Sequence, residues 1–123
     1  MRTLITGATI LPMTTAGLAV HGDIAIEANR IVSVGEAPLH FRPDRIIDAH
    51  GMIAMPSLIN AHTHVSMTYF RNYRDAVSDL HDWLRQIWRL EDLLTPEDIY
   101  PASMLGIAEM IFGGTTCFSD MYF

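Results

Sequence analysis

The sequence predicts an α/β fold in which strands of a small β-sandwich domain precede the first βα units of a (β/α)8 TIM barrel. Residues 1–55 contain short apolar segments separated by turn residues, and residues 23–27 alternate polar and apolar side chains with period two. After Pro56 the predicted order is strand, long loop, two helices and strand, which is typical of a βα unit followed by the next parallel strand. We therefore predict a β domain over residues 1–55 and the start of the barrel domain over residues 56–123.

Composition limits the class of protein. Half of the 123 residues are apolar, enough for a buried core, and the net charge of −6 argues against a nucleic-acid partner. Cys117 is the single cysteine, so an intramolecular disulfide is impossible and a reducing, cytoplasmic location is expected. No apolar run is long enough to predict a membrane span, and turn residues interrupt the apolar N-terminus, which argues against a signal peptide.

The first half of the sequence is predicted to form short strands. Residues 23–27 alternate polar and apolar side chains and turn at residues 28–30 into residues 31–34, which predicts a hairpin. Further short strands are predicted at residues 4–5 and 10–11, on either side of Gly7, and at residues 45–48 and 52–55.

The second half begins with a short apolar strand at residues 57–62, of the kind buried in parallel sheets. Residues 66–79 are polar and longer than a typical βα loop, which indicates a lid or substrate loop. A helix follows, with an apolar stripe at helical spacing made of Leu80, Trp83, Leu84, Ile87 and Trp88.

A second helix is predicted to begin after Thr95, which serves as N-cap before Pro96, and to end at Gly113-Gly114. Pro101 would remove a backbone donor inside this helix, so we expect a kink there or a later start. Residues 115–119 then form another strand predicted to be buried, with Cys117 acting as a small apolar residue.

His62 and His64 stand where the first barrel strand gives way to the polar loop. Two residues apart on an extended segment, both imidazoles project to one side, and they suit a borderline divalent cation such as zinc. A His-x-His pair alone is more often two half-exposed histidines than a metal site, but this position favours ligands. The other four histidines have no such position.

At these residues the sequence resembles the amidohydrolase superfamily, in its deaminase and chlorohydrolase branch. The metal-binding signature is matched by residues 55–68 (MPSLINAHTHVSMT), with Ser57 in place of the usual glycine. Deaminases of S-adenosylhomocysteine and methylthioadenosine are resembled further by residues 95–98 (TPED), 106–111 (GIAEMI) and 114–123 (GTTCFSDMYF).

The resemblance implies that His62 and His64 bind one divalent metal ion, with zinc expected. It also implies that Glu91 holds the ribose hydroxyls of a nucleoside-like substrate. Helical spacing independently places Glu91 at the end of the apolar stripe, although a solvated charge on a last helical turn is the alternative. Trp88 is a candidate for stacking on a purine, whereas Trp83 is assigned to the core. Asp120, at a strand end, is assigned a structural role.

The function implied is that of a metal-dependent aminohydrolase acting on an adenosine-like substrate, S-adenosylhomocysteine or methylthioadenosine for example. Because a barrel takes roughly 200–250 residues, we expect this chain to be the N-terminal part, with an incomplete ligand set, no catalytic acid or base of its own and no activity alone. The alternatives are a chlorohydrolase or guanine or cytosine deaminase relative, and a non-enzymatic module whose open edges are covered by a second copy or a complementing chain.

Overall fold

The computed structural model describes residues 1–73 and 79–122. Its contacts divide the chain into two compact units, Met1–Pro56 and Ser57–Phe123. The domain boundary predicted between residues 55 and 56 lies one residue from this division. None of the described helices is both long and apolar enough to cross a membrane.

The first unit is a single five-stranded sheet. Its strands are β1 (Arg2–Ile10), β2 (Val20–Glu27), β3 (Arg30–Gly35), β4 (Arg45–Asp48) and β5 (Ile53–Ala54). The order is β3-β2-β1-β4, with β5 also pairing with β1. The predicted hairpin is confirmed, because β2 and β3 pair antiparallel. The second sheet of a sandwich stays a prediction.

The prediction of two strands flanking Gly7 was wrong, because β1 is continuous across this residue. Gly7 has a φ of +69°, and the register of β1 against β2 shifts between Ile5 and Ala8. The Gly7 N–H donates to the Asp23 carboxylate at 3.0 Å. A glycine that tolerates a positive φ therefore becomes a bulge inside one strand instead of a turn between two.

The core of this sheet is small. It consists of four buried residues, Ala8, Ile10, Ile24 and Ala49, with partly buried apolar side chains packed around them. These residues lie on the strand pair at the centre of the sheet, β1 and β2, and on the turn after β4.

The second unit contains a two-stranded parallel sheet and two helices. In chain order its elements are β6 (Leu58–Thr63), a 3₁₀ helix (Val65–Phe70), α1 (Leu80–Glu91), α2 (Pro96–Phe112) and β7 (Thr115–Asp120). β6 and β7 are parallel neighbours, so the predicted order of strand, helices and strand is confirmed.

The segment predicted to be an irregular lid is in part helical. The 3₁₀ helix occupies its beginning and packs against α2, with Val65 and Ser66 buried. Residues 74–78, in the rest of this predicted lid, lie outside the described residues. The beginning of the segment is thus a packed element instead of an open loop.

Helix α1 carries the predicted apolar stripe, but only its centre is buried. Ile87 is 2% exposed, whereas Leu80 and Trp88 are 63% and 50% exposed. Asp79 is the N-cap of the helix, and its carboxylate accepts a hydrogen bond from the Asp82 N–H. The ends of the stripe are therefore open surface in this unit.

Helix α2 begins where the sequence predicted, after Thr95. The Asp98 carboxylate accepts hydrogen bonds from the Thr95 N–H at 2.9 Å and from the Thr95 hydroxyl at 2.7 Å. These bonds lower the pKa of Asp98. Of the two outcomes expected at Pro101, a later start is wrong, since the helix runs through this proline, and a kink stays a prediction. The N-terminal cap holds the first turns despite the missing donor.

Both strands of the second unit are more exposed than predicted. Leu58 and Ile59 of β6 are 52% and 72% exposed, and Cys117 of β7 is also exposed. Strand side chains point to the two faces of a sheet, so the physical reason is that the described elements leave these faces uncovered at Leu58, Ile59 and Cys117. The apolar composition of these strands predicted their type correctly and their burial wrongly.

Candidate metal and substrate site

The two candidate ligands lie at the carboxyl end of β6. His62 is in the strand, and His64 immediately follows it as the residue before the 3₁₀ helix. Their ring centroids are 5.1 Å apart and the rings are nearly perpendicular. The Asn60 side-chain oxygen accepts a hydrogen bond from the His62 N–H at 3.2 Å. The strand end thus places two imidazoles side by side, as the spacing predicted.

His64 is oriented by the neighbouring strand end. Its Nδ1 lies 2.6 Å from the carbonyl oxygen of Met121. A carbonyl oxygen can only accept, so Nδ1 carries a hydrogen, and in the neutral ring Nε2 then has the lone pair. Metal-ligating histidines are commonly oriented in this way, with one ring nitrogen donating to a carbonyl or carboxylate while the other binds the metal.

Further hydrogen bonds join the carboxyl ends of β6 and β7. The Met121 N–H donates to the Thr63 carbonyl at 2.9 Å, and the Asp120 carboxylate accepts from the Val65 N–H at 3.0 Å. Asp120 therefore holds the first residue of the 3₁₀ helix, the kind of structural role predicted for it. The bonds fix where the chain leaves each strand.

A cavity of about 470 Å³ opens beside this strand end. Its lining consists of His64, Met67, Trp83, Leu84, Ile87, Trp88, Glu91, Met121 and Tyr122. The volume is within the range of about 300–1,000 Å³ typical of small-molecule pockets. Most of the lining is apolar, with few polar groups among it, which is also typical of such pockets.

Three of the four predicted site residues meet in this cavity. His64 contributes from the end of β6, and Trp88 and Glu91 contribute from the last turns of α1. His62 is not part of the lining, although its ring neighbours that of His64. The cavity therefore combines one candidate ligand, one carboxylate and one half-exposed aromatic ring.

Among the lining residues that the sequence did not assign to the site, two are aromatic, Trp83 and Tyr122. Trp83 was assigned to the core, yet it is only partly buried and faces this cavity. Tyr122 was not singled out, although it lies two residues after Asp120 at the end of β7. Its position was detectable, since the carboxyl ends of adjacent parallel strands lie at the same edge of a sheet.

Tyr122 has a perturbed hydroxyl. Burial is the main cause that raises its pKa above the usual 10.0. Ser66 acts in the opposite direction, while the charge of Glu91, a side-chain hydrogen bond with Glu91 and the charge of Asp120 raise the pKa further. The phenol is therefore neutral at physiological pH and available as a donor to a carboxylate.

Helix α2 supports the segment that follows His64. The Thr68 hydroxyl donates to the Ala102 carbonyl at 2.8 Å. At Gly106 an added Cβ would lie 2.7 Å from Val65 Cγ2 and 2.9 Å from the Val65 carbonyl oxygen. The absence of a side chain at Gly106 is therefore what lets the 3₁₀ helix approach α2 so closely.

An ion pair joins the same two elements at the surface. Arg71 Nη1 and Nη2 donate to the two oxygens of Glu109 at 2.8 and 2.6 Å. This bidentate pair raises the pKa of Arg71 and lowers that of Glu109. It fixes the residue just after the 3₁₀ helix against α2.

The candidate ligands among the described residues are His62 and His64, which would make only a partial set. Among residues 1–73 and 79–122, no group of three or more His, Cys, Asp or Glu side chains is arranged to hold a metal ion. Catalytic zinc sites take three or more protein ligands. His62 and His64 fit part of such a set, since they are adjacent imidazoles and His64 presents a free Nε2.

Sequence comparison finds close relatives. A deaminase of 5-methylthioadenosine and S-adenosylhomocysteine from Pelotomaculum thermopropionicum is 50% identical over 125 residues. A protein of the same name from Desulforudis audaxviator is 48% identical over 127 residues. The matches cover 98% and 100% of this chain but 29% of each relative. The chain thus spans less than a third of the length of these relatives.

Solved structures of two enzymes are also similar to this chain. An adenosine deaminase from Xanthomonas campestris with bound zinc is 34% identical, with a TM-score of 0.86 over 98% of this chain and 29% of that protein. An atrazine chlorohydrolase from Arthrobacter aurescens, complexed with zinc, is 27% identical, with a TM-score of 0.85 over 98% of this chain and 28% of that protein.

The family itself is identified by its sequence model. The model of the Amidohydrolase family matches residues 53–123, which include β6, both helices and β7. The match covers the His-x-His strand end and every residue that lines the cavity. The resemblance read from the motifs is thus confirmed, and the chain belongs to the amidohydrolase family.

Proposed function

We propose that this chain forms the first part of a metal-dependent aminohydrolase that deaminates an adenosine-like substrate. The single observation that carries the proposal is the cavity on which His64, Trp88 and Glu91 converge. In the reaction, water adds to the ring carbon that bears the amino group, and the amino group leaves as ammonia. The names of the relatives favour S-adenosylhomocysteine and methylthioadenosine as the first substrates to test.

In this proposal His62 and His64 hold one divalent metal ion, with zinc expected because the similar solved structures contain it. When bound, zinc would lower the pKa of a water molecule toward neutrality and so supply the attacking nucleophile. The Met121 carbonyl keeps the His64 proton on Nδ1, which leaves Nε2 free to face the ion. The remaining ligands and the catalytic acid or base would come from residues other than these two.

The other wall of the cavity would bind the nucleoside. The Glu91 carboxylate can accept hydrogen bonds from both ribose hydroxyls, since it has two acceptor oxygens. Trp88 is half-exposed in the same cavity and offers a face for the purine. The apolar remainder of the lining suits the uncharged parts of such a substrate.

We also propose that β6 and β7 are the first two strands of a (β/α)8 barrel. The parallel pairing and the position of the candidate ligands at the carboxyl end of β6 support this. The first unit would then be part of a small β-sandwich domain, to which its five-stranded sheet contributes one layer.

The test uses the full-length product of the gene that encodes this chain, stripped of metal and then loaded with zinc. Ammonia release is measured with S-adenosylhomocysteine, methylthioadenosine and adenosine. We expect turnover only in the zinc-loaded protein and its loss in His62→Ala and His64→Ala. His81→Ala is the matched control, since His81 lies exposed at the start of α1. Absence of ammonia release from all three nucleosides would overturn the proposal.

A second candidate is a chlorohydrolase, favoured by the similarity to the atrazine chlorohydrolase structure. Here water would replace chlorine on a triazine ring, and chloride and a proton would leave. Glu91 distinguishes the two, because a triazine has no ribose hydroxyls for this carboxylate to bind. Chloride release from atrazine that persists in Glu91→Gln, without deamination of any nucleoside, would favour this candidate.

A further inference from the structure

We propose that Tyr122 is a positioning residue for Glu91, with its hydroxyl holding the carboxylate in the orientation that receives the two ribose hydroxyls of the substrate. This inference rests on the proposed function, because Glu91 needs a ribose-bearing substrate to position for. It assigns a role to a residue that neither the motifs nor the spacing singled out.

Position is the first argument. Tyr122 and Glu91 both line the cavity of about 470 Å³ described above, which we call the main cavity. They also line a second cavity of about 290 Å³, together with Trp88, Asp92 and Ile99. Tyr122, Glu91 and Trp88 thus border both spaces. A carboxylate in such a position has rotamers that point to either side, and a hydrogen bond from a fixed donor selects one of them.

The second argument is that Tyr122 is itself firmly placed. It follows Met121, whose N–H donates to the Thr63 carbonyl and whose carbonyl oxygen accepts from His64. The position of Tyr122 is therefore tied to the backbone that also orients the candidate metal ligand.

The third argument is the chemistry of the contact. The neutral phenol can donate to Glu91, and a hydrogen bond to a charged acceptor is stronger than one between neutral groups. This contact contributes to the raised pKa of Tyr122. Tyr122 thus links the Glu91 carboxylate, which would bind the ribose, to the strand end that carries His64, which would face the purine ring.

The test compares Tyr122→Phe, Glu91→Gln and the double variant in the zinc-loaded full-length protein. Adenosine is compared with 2′,3′-dideoxyadenosine, which lacks the hydroxyls that Glu91 would bind. Tyr122→Phe should raise KM for adenosine by about three- to tenfold with little change in kcat, because Glu91 keeps its own hydrogen bonds to the ribose and loses only the contact that orients it. Its effect should vanish in the Glu91→Gln background and on the dideoxy substrate. Tyr100→Phe, an exposed tyrosine of α2 outside both cavities, is the control.

The outcomes separate this inference from the proposed function. If the wild-type protein deaminates no nucleoside, both the proposed function and this inference are wrong. A wild-type enzyme whose Tyr122→Phe and Glu91→Gln effects are additive, or equal on both substrates, overturns the inference alone.

If Tyr122→Phe does not fold, tyrosine-selective NMR of Glu91→Gln still tests the contact. Removing the Glu91 charge should lower the pKa of the Tyr122 hydroxyl, since that charge raises it. An unchanged titration would overturn the inference.

Discussion

The Nδ1 atom of His64 lies 2.6 Å from the carbonyl oxygen of Met121, so the residue after β6 is oriented by the residue after β7. This contact selects the ring tautomer and leaves Nε2 for a metal ion. It also ties the candidate ligand to the segment that carries Tyr122, and hence to the wall of the cavity where Glu91 lies.

Metal affinity should depend on His64. In His64→Ala we expect the Kd for zinc to rise by at least about a hundredfold, because a ligand is lost outright, whereas changing a mere supporting group costs about 10–100-fold. Zinc affinity is measured by competition with a chromophoric chelator, with His81→Ala as control. An unchanged Kd in His64→Ala would show that the ion binds elsewhere.

Substrate affinity should depend on Glu91. Replacing the carboxylate by an amide weakens the hydrogen bonds to the ribose, so KM for adenosine in Glu91→Gln should rise by about 10–100-fold, corresponding to about 1.5–3 kcal/mol. Steady-state kinetics give this value, and Asp92→Asn, an exposed neighbour outside the main cavity, is the comparison. Equal KM values in wild type and Glu91→Gln would show that Glu91 does not bind the substrate.

Stability should depend on Gly106. In Gly106→Ala the new methyl group would overlap Val65, and such overpacking costs about 1–3 kcal/mol of unfolding free energy. Chemical denaturation measures the loss. Gly113→Ala is a matched control in the same helix region, because its Cβ would meet nothing closer than 3.4 Å. If the two variants have the same stability, the 3₁₀ helix does not need its close approach to α2.

The Arg71–Glu109 pair should make stability depend on acid pH. Its hydrogen bonds hold the pKa of Glu109 below the ordinary value of 4.5 in the folded state. The contribution is therefore fully present above that ordinary value and is lost as the pH falls through the lower, folded-state pKa. Unfolding free energies between neutral pH and about pH 3 should fall less steeply in Glu109→Gln than in wild type or Asp92→Asn. Identical slopes in Glu109→Gln and wild type would contradict this.

Much of the second unit could be predicted from the sequence. Thr95 and Pro96 predicted the start of α2 correctly, since capping depends on neighbouring residues alone. The same locality explains the hairpin of β2 and β3. The break predicted in the strand at Gly7 was wrong, because a glycine with a positive φ occurs both in turns and in β-bulges. Pairing with β2 decides between the two.

The sequence by itself determined the family, the strand that carries His62 and His64, and the two helices, because motifs, caps and periodicity are properties of adjacent residues. Only the tertiary structure decided that His64, Glu91 and Tyr122 share one cavity, that Met121 orients His64, and that β6 and Cys117 are exposed. Those facts depend on which strand ends and helix turns meet in space. Contacts between residues some 30 to 60 positions apart leave no periodic signal in a single sequence.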